Sequence, residues 1–332
     1  MRSSPETLAA LPSAAPALRR AGIAGLGTAL PDNVVPSDAI AERIGVPSGW
    51  LERRTGIHAR RHAAPEARLT VLAADAGRAA LADADVDPAV IDLVLVATVA
   101  ADEITPNAAP QVAYELGATS AGAMDIGAAC TGFISALTVG SGLIESGRAE
   151  HVLVIGAEIM SRYVDPTDRS TAGLFGDGAG AVVLVPSESD SLVGQTVLGA
   201  DGSAAPYIIA PRDTAIVRMD GHETFKRAVA TLATNARETV AANGLELDDI
   251  GLFVLHQANG RILSAVCEAL GVGSERMLDA IAELGNTSAA SIPLALADAR
   301  ERGLLRSGDR VLLGAVGAGF TWGATIVEWG SA

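Results

Sequence analysis

Aromatic residues are scarce in this sequence, at 3% of 332 residues, and cysteine is scarcer still, with two thiols. A core with so few rings has to be built from closely packed Ala, Val, Leu and Ile. The two cysteines, Cys130 and Cys267, form neither a CxxC pair nor a Cys/His cluster, so no metal site is expected. A disulfide is not expected either, because the 49% hydrophobic content suffices for a large core. This cysteine usage favours a reduced, cytoplasmic protein.

Basic residues are also in short supply. The sequence has 24 Lys and Arg residues and 39 Asp and Glu residues, which gives a net charge of −15 at pH 7. This balance argues against general binding of nucleic acid, although a local basic patch for a phosphorylated ligand remains compatible with it. Residues 1–20 lack the apolar run of a signal peptide and are interpreted as a flexible N-terminal extension. The uncharged stretch over residues 126–144 is rich in Gly, Ser and Thr, so it is interpreted as a buried helix and no membrane partner is expected.

An internal duplication organises the chain. Residues 74–98 align without a gap with residues 233–257, and each segment reads as an Ala-rich helix, a polar link and an apolar strand. The match resumes where the CTG of residues 130–132 aligns with the NTS of residues 286–288. Apolar strands joined by helices predict an α/β fold with a mixed, mainly parallel sheet in each half.

The duplication places three polar residues of different chemistry at related points. Cys130 and Asn286 occupy equivalent positions, each opening an uncharged helix, and His256 directly follows an apolar strand. Pseudo-twofold symmetry would bring the two helix N-termini together, so we expect the three side chains to face one cavity. A helix N-terminus favours a thiolate, and the pKa of Cys130 is expected to fall from ~8.5 toward ~7. Cys130 is therefore the predicted nucleophile, whereas Cys267 is predicted to be a packing residue.

Two N–H donors beside a cysteine thioester suit one kind of reaction. His256 and Asn286 can stabilise an enolate oxygen that forms on a second thioester, and the backbone N–H of Cys130 can stabilise the oxyanion of the acylated cysteine. These residues predict an enzyme in which Cys130 carries an acyl group that a carbon nucleophile attacks. Two alternatives stay open: an acyltransferase that passes the acyl group to oxygen or nitrogen, and a catalytically silent binding subunit.

Six segments carry a family resemblance: CTGF, DPTDRSTAGLFGDGAGAVVLV, MDGHETFK, LHQANGRI, LGNTSAASIP and GAGFTWGATIVEW. Together they resemble 3-oxoacyl-acyl-carrier-protein synthase III (KAS III), the initiating condensing enzyme of the thiolase superfamily. The resemblance runs from about Gly22 to Trp329 and implies a five-layer αβαβα thiolase-like fold, a homodimer and no cofactor. Its two duplicated halves would cover residues 21–186 and 187–332, after the extension over residues 1–20.

The resemblance also implies a mechanism. The triad Cys130, His256 and Asn286 would accept an acyl group from acyl-CoA and condense it with malonyl-acyl-carrier protein, with loss of carbon dioxide, to give a 3-oxoacyl product. Fatty-acid initiation and the priming of a polyketide pathway are both compatible with this activity. The second oxyanion donor would be the backbone N–H of Ala318, which aligns with a family glycine and is acceptable there if its φ is not positive.

Binding residues follow from the same motifs, matched one position at a time. The implied CoA-binding residues are Trp50, Arg54, Arg169, Asn259 and Arg261, since Trp can stack on adenine and Arg can pair with phosphates. The implied acyl pocket consists of Thr105, Leu174, Phe175 and Met219. Some members have Phe at the position of Thr105, reached across the dimer, so we expect acyl chains longer than acetyl or branched. Carrier-protein docking is implied for Lys226 and Arg261, although Glu268 and Ala269 stand where some relatives have Lys.

Overall fold

The structure is a computed structural model that describes residues 19–187 and 191–330. The expected N-terminal extension lies outside the described residues except for Arg19 and Arg20, and Arg20 already belongs to the first strand. The described strands are β1 (Arg20–Ala29), β2 (Val34–Pro36), β3 (Ala59–Arg61), β4 (Leu93–Ala97), β5 (Gly122–Ile126), β6 (Val152–Ile159), β7 (Asp177–Ser187), β8 (Leu192–Val193), β9 (Val197–Ala200), β10 (Ile208–Ile209), β11 (Arg218–Met219), β12 (Leu252–Leu255), β13 (Arg310–Gly317) and β14 (Thr321–Glu328). The described helices are α1 (Ser37–Arg43), α2 (Trp50–Thr55), α3 (Leu69–Asp83), α4 (Ala108–Leu116), α5 (Gly132–Glu145), α6 (Gly221–Ala242), α7 (Gly260–Leu270), α8 (Ile281–Leu284) and α9 (Ser291–Glu301).

Two mixed sheets form the framework of the molecule. The first has the strand order β1-β7-β6-β4-β5, and the second has the order β12-β13-β14-β8, with β9 also paired to β14. A single bridge between Phe253 and Met277 extends the second sheet beyond β12, at the place that β5 takes in the first. The two sheets therefore share one strand order, as a duplicated sequence would produce.

Helices separate and cover the two sheets. Helices α3 and α4 pack on the outer face of the first sheet, α5 and α9 lie between the sheets, and α6 and α7 cover the second sheet. This arrangement confirms the predicted five layers. Helix α5 has Phe133, Ile134 and Leu137 fully buried, which confirms the buried helix predicted for this uncharged stretch. No helix among the described residues is long and apolar enough to cross a bilayer.

Strand direction departs from the expectation of mainly parallel sheets. Strand β4 pairs in parallel with β5 and β6, but β7 is antiparallel to both of its neighbours. In the second sheet β12 is parallel to β13 and to the bridge at Met277, whereas β14 is antiparallel to β13, β8 and β9. The predicted mixed sheets are confirmed, but parallel pairs do not predominate in them. Continuous apolar strands report burial by helices on both faces, and antiparallel strands buried in this way look the same. The three residues between β13 and β14 are also too few for a parallel crossover.

Candidate active site

Cys130 lies where the chain passes from β5 into α5, within a 3₁₀ turn over Ala129–Thr131. The residue before it, Ala129, has a φ of 46°, a left-handed conformation that is unfavourable for a residue with a side chain. Gly317 packs against this turn, and a Cβ added there would lie 2.9 Å from the backbone nitrogen of Cys130. The backbone around the thiol is therefore held in one tight conformation. Because residue 317 is glycine, space is left beside the backbone N–H of Cys130.

Asn286 has the equivalent setting ahead of α9. Gly285 before it has a φ of 65°, and the backbone of Asn286 exchanges hydrogen bonds with Leu174 and Gly176, at 2.9 and 3.0 Å. Its side-chain Oδ1 accepts a hydrogen bond from the backbone N–H of Ser288 at 2.9 Å. Because this bond fixes the oxygen, the amide Nδ2 is left free to donate into the cavity that Asn286 lines.

His256 follows β12 and is 2% exposed. Its backbone N–H donates to the carbonyl of Gly314 at 2.8 Å, which fixes the chain at the end of the strand. Burial lowers the pKa of His256 to about 4, so the imidazole is neutral at physiological pH. Nδ1 is buried without a hydrogen-bond partner among the described residues, so a hydrogen on Nε2 avoids burying an unpaired N–H. The ring thus suits the expected role of a neutral N–H donor.

One cavity of about 1330 Å³ joins these groups, and Cys130, His256, Asn286 and Ala318 all line it. The two 3₁₀ turns that lead into α5 and α9 touch at its floor, as the duplication predicts. Ala318 is not among the residues with positive φ, whereas Gly319 has a φ of 140°. The condition for an alanine at position 318 is therefore met, and the polar groups face one space.

The expected lowering of the thiol pKa is wrong. Burial raises the pKa of Cys130 to about 11, and the negative charge of Glu158 adds to this rise, while Ser288 and the backbone N–H of Cys130 oppose it. The main cause is the loss of water around the thiol, because α5 lies between the two sheets. Since the resting thiol is protonated at neutral pH, acylation needs a group that takes its proton.

The residues expected to bind CoA surround the mouth of the cavity. The Arg54 guanidinium stacks on the ring of Trp50, 4.6 Å from its centroid. The side-chain oxygen of Asn259 accepts a hydrogen bond from the N–H of Arg261 at 2.9 Å, which leaves the Asn259 amide donor free. All five predicted residues line the cavity: Trp50, Arg54, Arg169, Asn259 and Arg261. Sequence reasoning missed Arg212, a further lining cation on an exposed loop that no quoted motif contains.

Three of the four expected acyl-pocket residues line the cavity, namely Leu174, Phe175 and Met219. Leu174 and Phe175 belong to a buried apolar cluster, and the partly buried Met219 packs against it. The cluster also contains Met160 and Val217, two lining residues that sequence reasoning missed. Met160 directly follows β6, and its position at the end of a buried strand could have identified it as a candidate lining residue. The sequence around Val217 carries no such signal. Thr105 is exposed and does not line the cavity of a single subunit, although its neighbour Ile104 does. A role for Thr105 therefore requires a second copy of the chain and stays a prediction.

The predicted docking residues occupy two helices that pack together. Lys226 on α6 and Arg261 on α7 are both exposed, and only Arg261 also lines the cavity. The guanidinium of Arg237 donates to the carbonyls of Ala269 and Leu270, at 3.0 and 3.2 Å. A positive charge thus lies next to Ala269.

The fold and the site together define a thiolase-fold condensing acyltransferase. Residues 124–202 match the family 3-oxoacyl-[acyl-carrier-protein] synthase III, and residues 240–329 match its C-terminal domain. Beta-ketoacyl-[acyl-carrier-protein] synthase III 2 of Streptomyces coelicolor is 45% identical over 317 residues, covering 94% of this chain and 96% of that protein. The chain belongs to the 3-oxoacyl-[acyl-carrier-protein] synthase III family.

Solved structures agree with this assignment. The 3-oxoacyl-[acyl-carrier-protein] synthase III of Aquifex aeolicus matches with a TM-score of 0.90 at 40% identity, covering 93% of this chain and 100% of that one. The priming beta-ketosynthase of the R1128 polyketide biosynthetic pathway matches with a TM-score of 0.90 at 36% identity, covering 96% and 98%. Similarity thus extends both to a 3-oxoacyl-[acyl-carrier-protein] synthase III and to a priming ketosynthase of a polyketide pathway.

Proposed function

We propose that the protein condenses an acyl group from acyl-CoA with malonyl-acyl-carrier protein, releasing carbon dioxide and giving a 3-oxoacyl-acyl-carrier protein that initiates fatty-acid or polyketide synthesis. The observation that carries this proposal is the orientation of Asn286. Its Oδ1 is held by Ser288, so an N–H donor faces the same cavity as the neutral imidazole of His256 and the thiol of Cys130. Two neutral donors are what a developing enolate requires.

The reaction has two halves. In the first, the sulfur of Cys130 attacks the acyl-CoA carbonyl, the backbone N–H groups of Cys130 and Ala318 stabilise the oxyanion, and CoA leaves. In the second, the malonyl group loses carbon dioxide, and the enolate oxygen accepts hydrogen bonds from His256 and Asn286. The carbanion attacks the thioester carbon and expels the sulfur of Cys130. These steps use N–H donors and the thiol of the chain itself, so no metal or organic cofactor is required.

The cavity mouth suits CoA. Arg54, Arg169, Arg212 and Arg261 surround it and offer guanidinium groups to phosphates, while the ring of Trp50 offers a face for adenine. The inner wall is apolar and offers the acyl chain a dry pocket. A phosphorylated, apolar-tailed thioester is therefore complementary to the cavity from its mouth to its floor, even though the whole chain is acidic.

A homodimer would explain the exposed apolar edge of the first sheet. Strand β5 ends that sheet and exposes Met124 by 44%, while Val139 of α5 is 38% exposed and Ile104 is 87% exposed. An unpaired edge of this kind invites pairing with another strand. A second copy that pairs along β5 would cover these side chains and could bring the loop with Thr105 to its partner's cavity.

Product analysis tests the proposed function. Purified protein is incubated with an acyl-CoA and malonyl-acyl-carrier protein, and both 3-oxoacyl-acyl-carrier protein and carbon dioxide are measured. We expect the two products in equal amounts, and neither when the acyl-CoA is omitted. Acyl transfer to an oxygen or nitrogen acceptor without carbon dioxide would instead identify the alternative acyltransferase and contradict the proposal.

The size of residue 105 is expected to set the chain length. Thr105→Phe should lower kcat/KM for longer or branched acyl-CoAs by ~10-fold relative to acetyl-CoA, because a ring fills the end of the pocket. Initial rates with an acyl-CoA series measure this, and Thr105→Ser serves as the small-residue control. An unchanged chain-length profile in Thr105→Phe would remove this residue from the pocket.

Lys226 is expected to act on the carrier protein alone, because it is exposed outside the cavity. Lys226→Ala should raise KM for malonyl-acyl-carrier protein by up to ~5-fold, the effect of one exposed ion pair, and leave KM for acyl-CoA unchanged. Steady-state kinetics with each substrate varied in turn measure both constants, with Lys226→Arg as the charge-preserving control. Equal changes in both constants would contradict a docking role.

A further inference from the structure

An arginine that the mechanism above does not use is completely buried. Arg60 stands in β3, is 0% exposed, and is the largest fully buried side chain among the described residues. Burial lowers its pKa to about 10, so the guanidinium remains positively charged at neutral pH. It forms no ion pair with a carboxylate of the described residues. A charge buried without an opposite charge costs free energy, so the hydrogen bonds of this guanidinium have to offset that cost.

The guanidinium binds three segments that are distant in sequence. Its Nη1 donates to the carbonyl of Val35 in β2 at 3.1 Å, and its Nη2 donates to the hydroxyl of Ser37, at the start of α1, at 3.0 Å. Nη2 also donates to the carbonyl of Gly173 at 2.7 Å, which is the shortest of the three bonds. A planar guanidinium is suited to this arrangement, because its N–H donors point to several acceptors in a fixed geometry.

Gly173 begins a short segment, residues 173–176, that we call the pocket segment. Leu174 and Phe175 in this segment line the cavity. The segment runs beside Asn286, whose backbone N–H donates to the carbonyl of Leu174 at 2.9 Å and whose carbonyl accepts the N–H of Gly176 at 3.0 Å. Phe175 and Asn286 thus form a parallel bridge. The backbone position of the second enolate donor therefore depends on where the pocket segment lies.

The aliphatic part of Arg60 contacts both sides of this bridge. A Cβ added at Gly176, in the pocket segment, would lie 3.1 Å from the Cβ of Arg60. A Cβ added at Gly285, directly before Asn286, would also lie 3.1 Å from it. One side chain thus binds the start of the pocket segment with its charged end and packs against both members of the bridge with its base.

We propose that Arg60 is a positioning residue for condensation: it holds the pocket segment, and through that segment the amide donor of Asn286, in the place that the enolate requires. This inference rests on the proposed function. Arg60 is not among the residues that line the cavity, so it acts through Asn286 and not on a substrate. Cys130 and His256 are held by contacts with other segments. Loss of Arg60 should therefore affect condensation and spare acylation.

A double-mutant cycle tests this inference. Acylation of Cys130 by acetyl-CoA is followed by quenched-flow mass spectrometry, and condensation is followed as carbon dioxide release when the preformed acyl-enzyme meets malonyl-acyl-carrier protein. Arg60→Lys keeps the charge but loses the planar fork, and it should slow condensation ~10-fold while acylation changes by less than ~2-fold. In an Asn286→Ala background, which lacks the amide donor, Arg60→Lys should leave the already slow condensation unchanged.

Two further variants separate positioning from folding. Arg60→Gln keeps one N–H₂ donor without the buried charge and should give the same pattern as Arg60→Lys. Arg61→Lys is the matched control on the same strand: the Arg61 side chain donates to the carbonyl of Asp32 at 3.1 Å, away from the pocket segment, so both rates should stay at the wild-type level.

Three results would overturn the positioning role. These are unchanged condensation in Arg60→Lys and Arg60→Gln, an equal loss of acylation and condensation, and the same slowing in the presence and absence of the Asn286 amide. The last two would show that Arg60 supports the structure as a whole. A wild-type acyl-enzyme that releases no carbon dioxide from malonyl-acyl-carrier protein would instead overturn the proposed function itself.

Discussion

Replacing Cys130 by serine is expected to abolish the acyl-enzyme. The cavity raises the pKa of the thiol itself to about 11 by burial, and an alcohol in the same place would be far harder to ionise. A serine hydroxyl would therefore attack the thioester as a neutral group, and we expect acylation to fall by at least ~10³-fold. The fold should be unaffected, since oxygen replaces sulfur in a cavity with room to spare.

Mass spectrometry of the intact protein measures this loss directly. After incubation with a panel of acyl-CoAs, the wild type should gain the mass of one acyl group, and peptide mapping should place it on Cys130. The chain offers a matched control in Cys267, which is buried in α7 and donates its S–H to the carbonyl of Val272 at 3.1 Å. Cys267→Ser should acylate as the wild type does. A normal thioester adduct on Cys130→Ser would refute the assignment of the nucleophile.

The layers of the fold could be predicted from the sequence because duplication is visible in it. Matching residues in segments 74–98 and 233–257 fix two helix–strand units, and these units form the corresponding parts of the two sheets. Strand direction could not be predicted in the same way. The apolar run of β7 reflects burial on both faces, which is common to parallel and antiparallel strands inside a layered protein.

The convergence of the site also followed from the duplication, since equivalent positions in two halves meet near the symmetry axis. The sequence did not reveal the properties that depend on how deeply a residue is buried or on contacts between distant parts of the chain. Burial raises the pKa of Cys130, whereas the local motif alone predicted a lowered value. Glu158 did leave a signal, a lone charge in the strand VLVIGAEI, but its partner Ser288 lies 130 residues away. Arg212 reaches the cavity from a loop whose path only the structure gives.

Replacing His256 by alanine is expected to separate the two halves of the reaction. The imidazole is neutral above about pH 5 because burial lowers its pKa to about 4, so it is suited to donate a hydrogen bond and is a poor base for the thiol. His256→Ala should therefore still acylate Cys130. It should lose ~10²- to 10³-fold in the rate of condensation, the effect of removing one donor to a developing enolate.

The measurement compares two products in the same variant. Mass spectrometry should show the acyl-enzyme of His256→Ala accumulating in the presence of malonyl-acyl-carrier protein, while carbon dioxide release becomes slow. Asn286→Asp is the matched test of the second donor. Its one oxygen can still accept the N–H of Ser288, but the other replaces the amide donor with negative charge beside the enolate. We expect it to condense even more slowly than His256→Ala.

Complete loss of self-acylation in His256→Ala would contradict this division of labour. The imidazole would then be the group that takes the proton of Cys130, a base role that its lowered pKa of about 4 argues against.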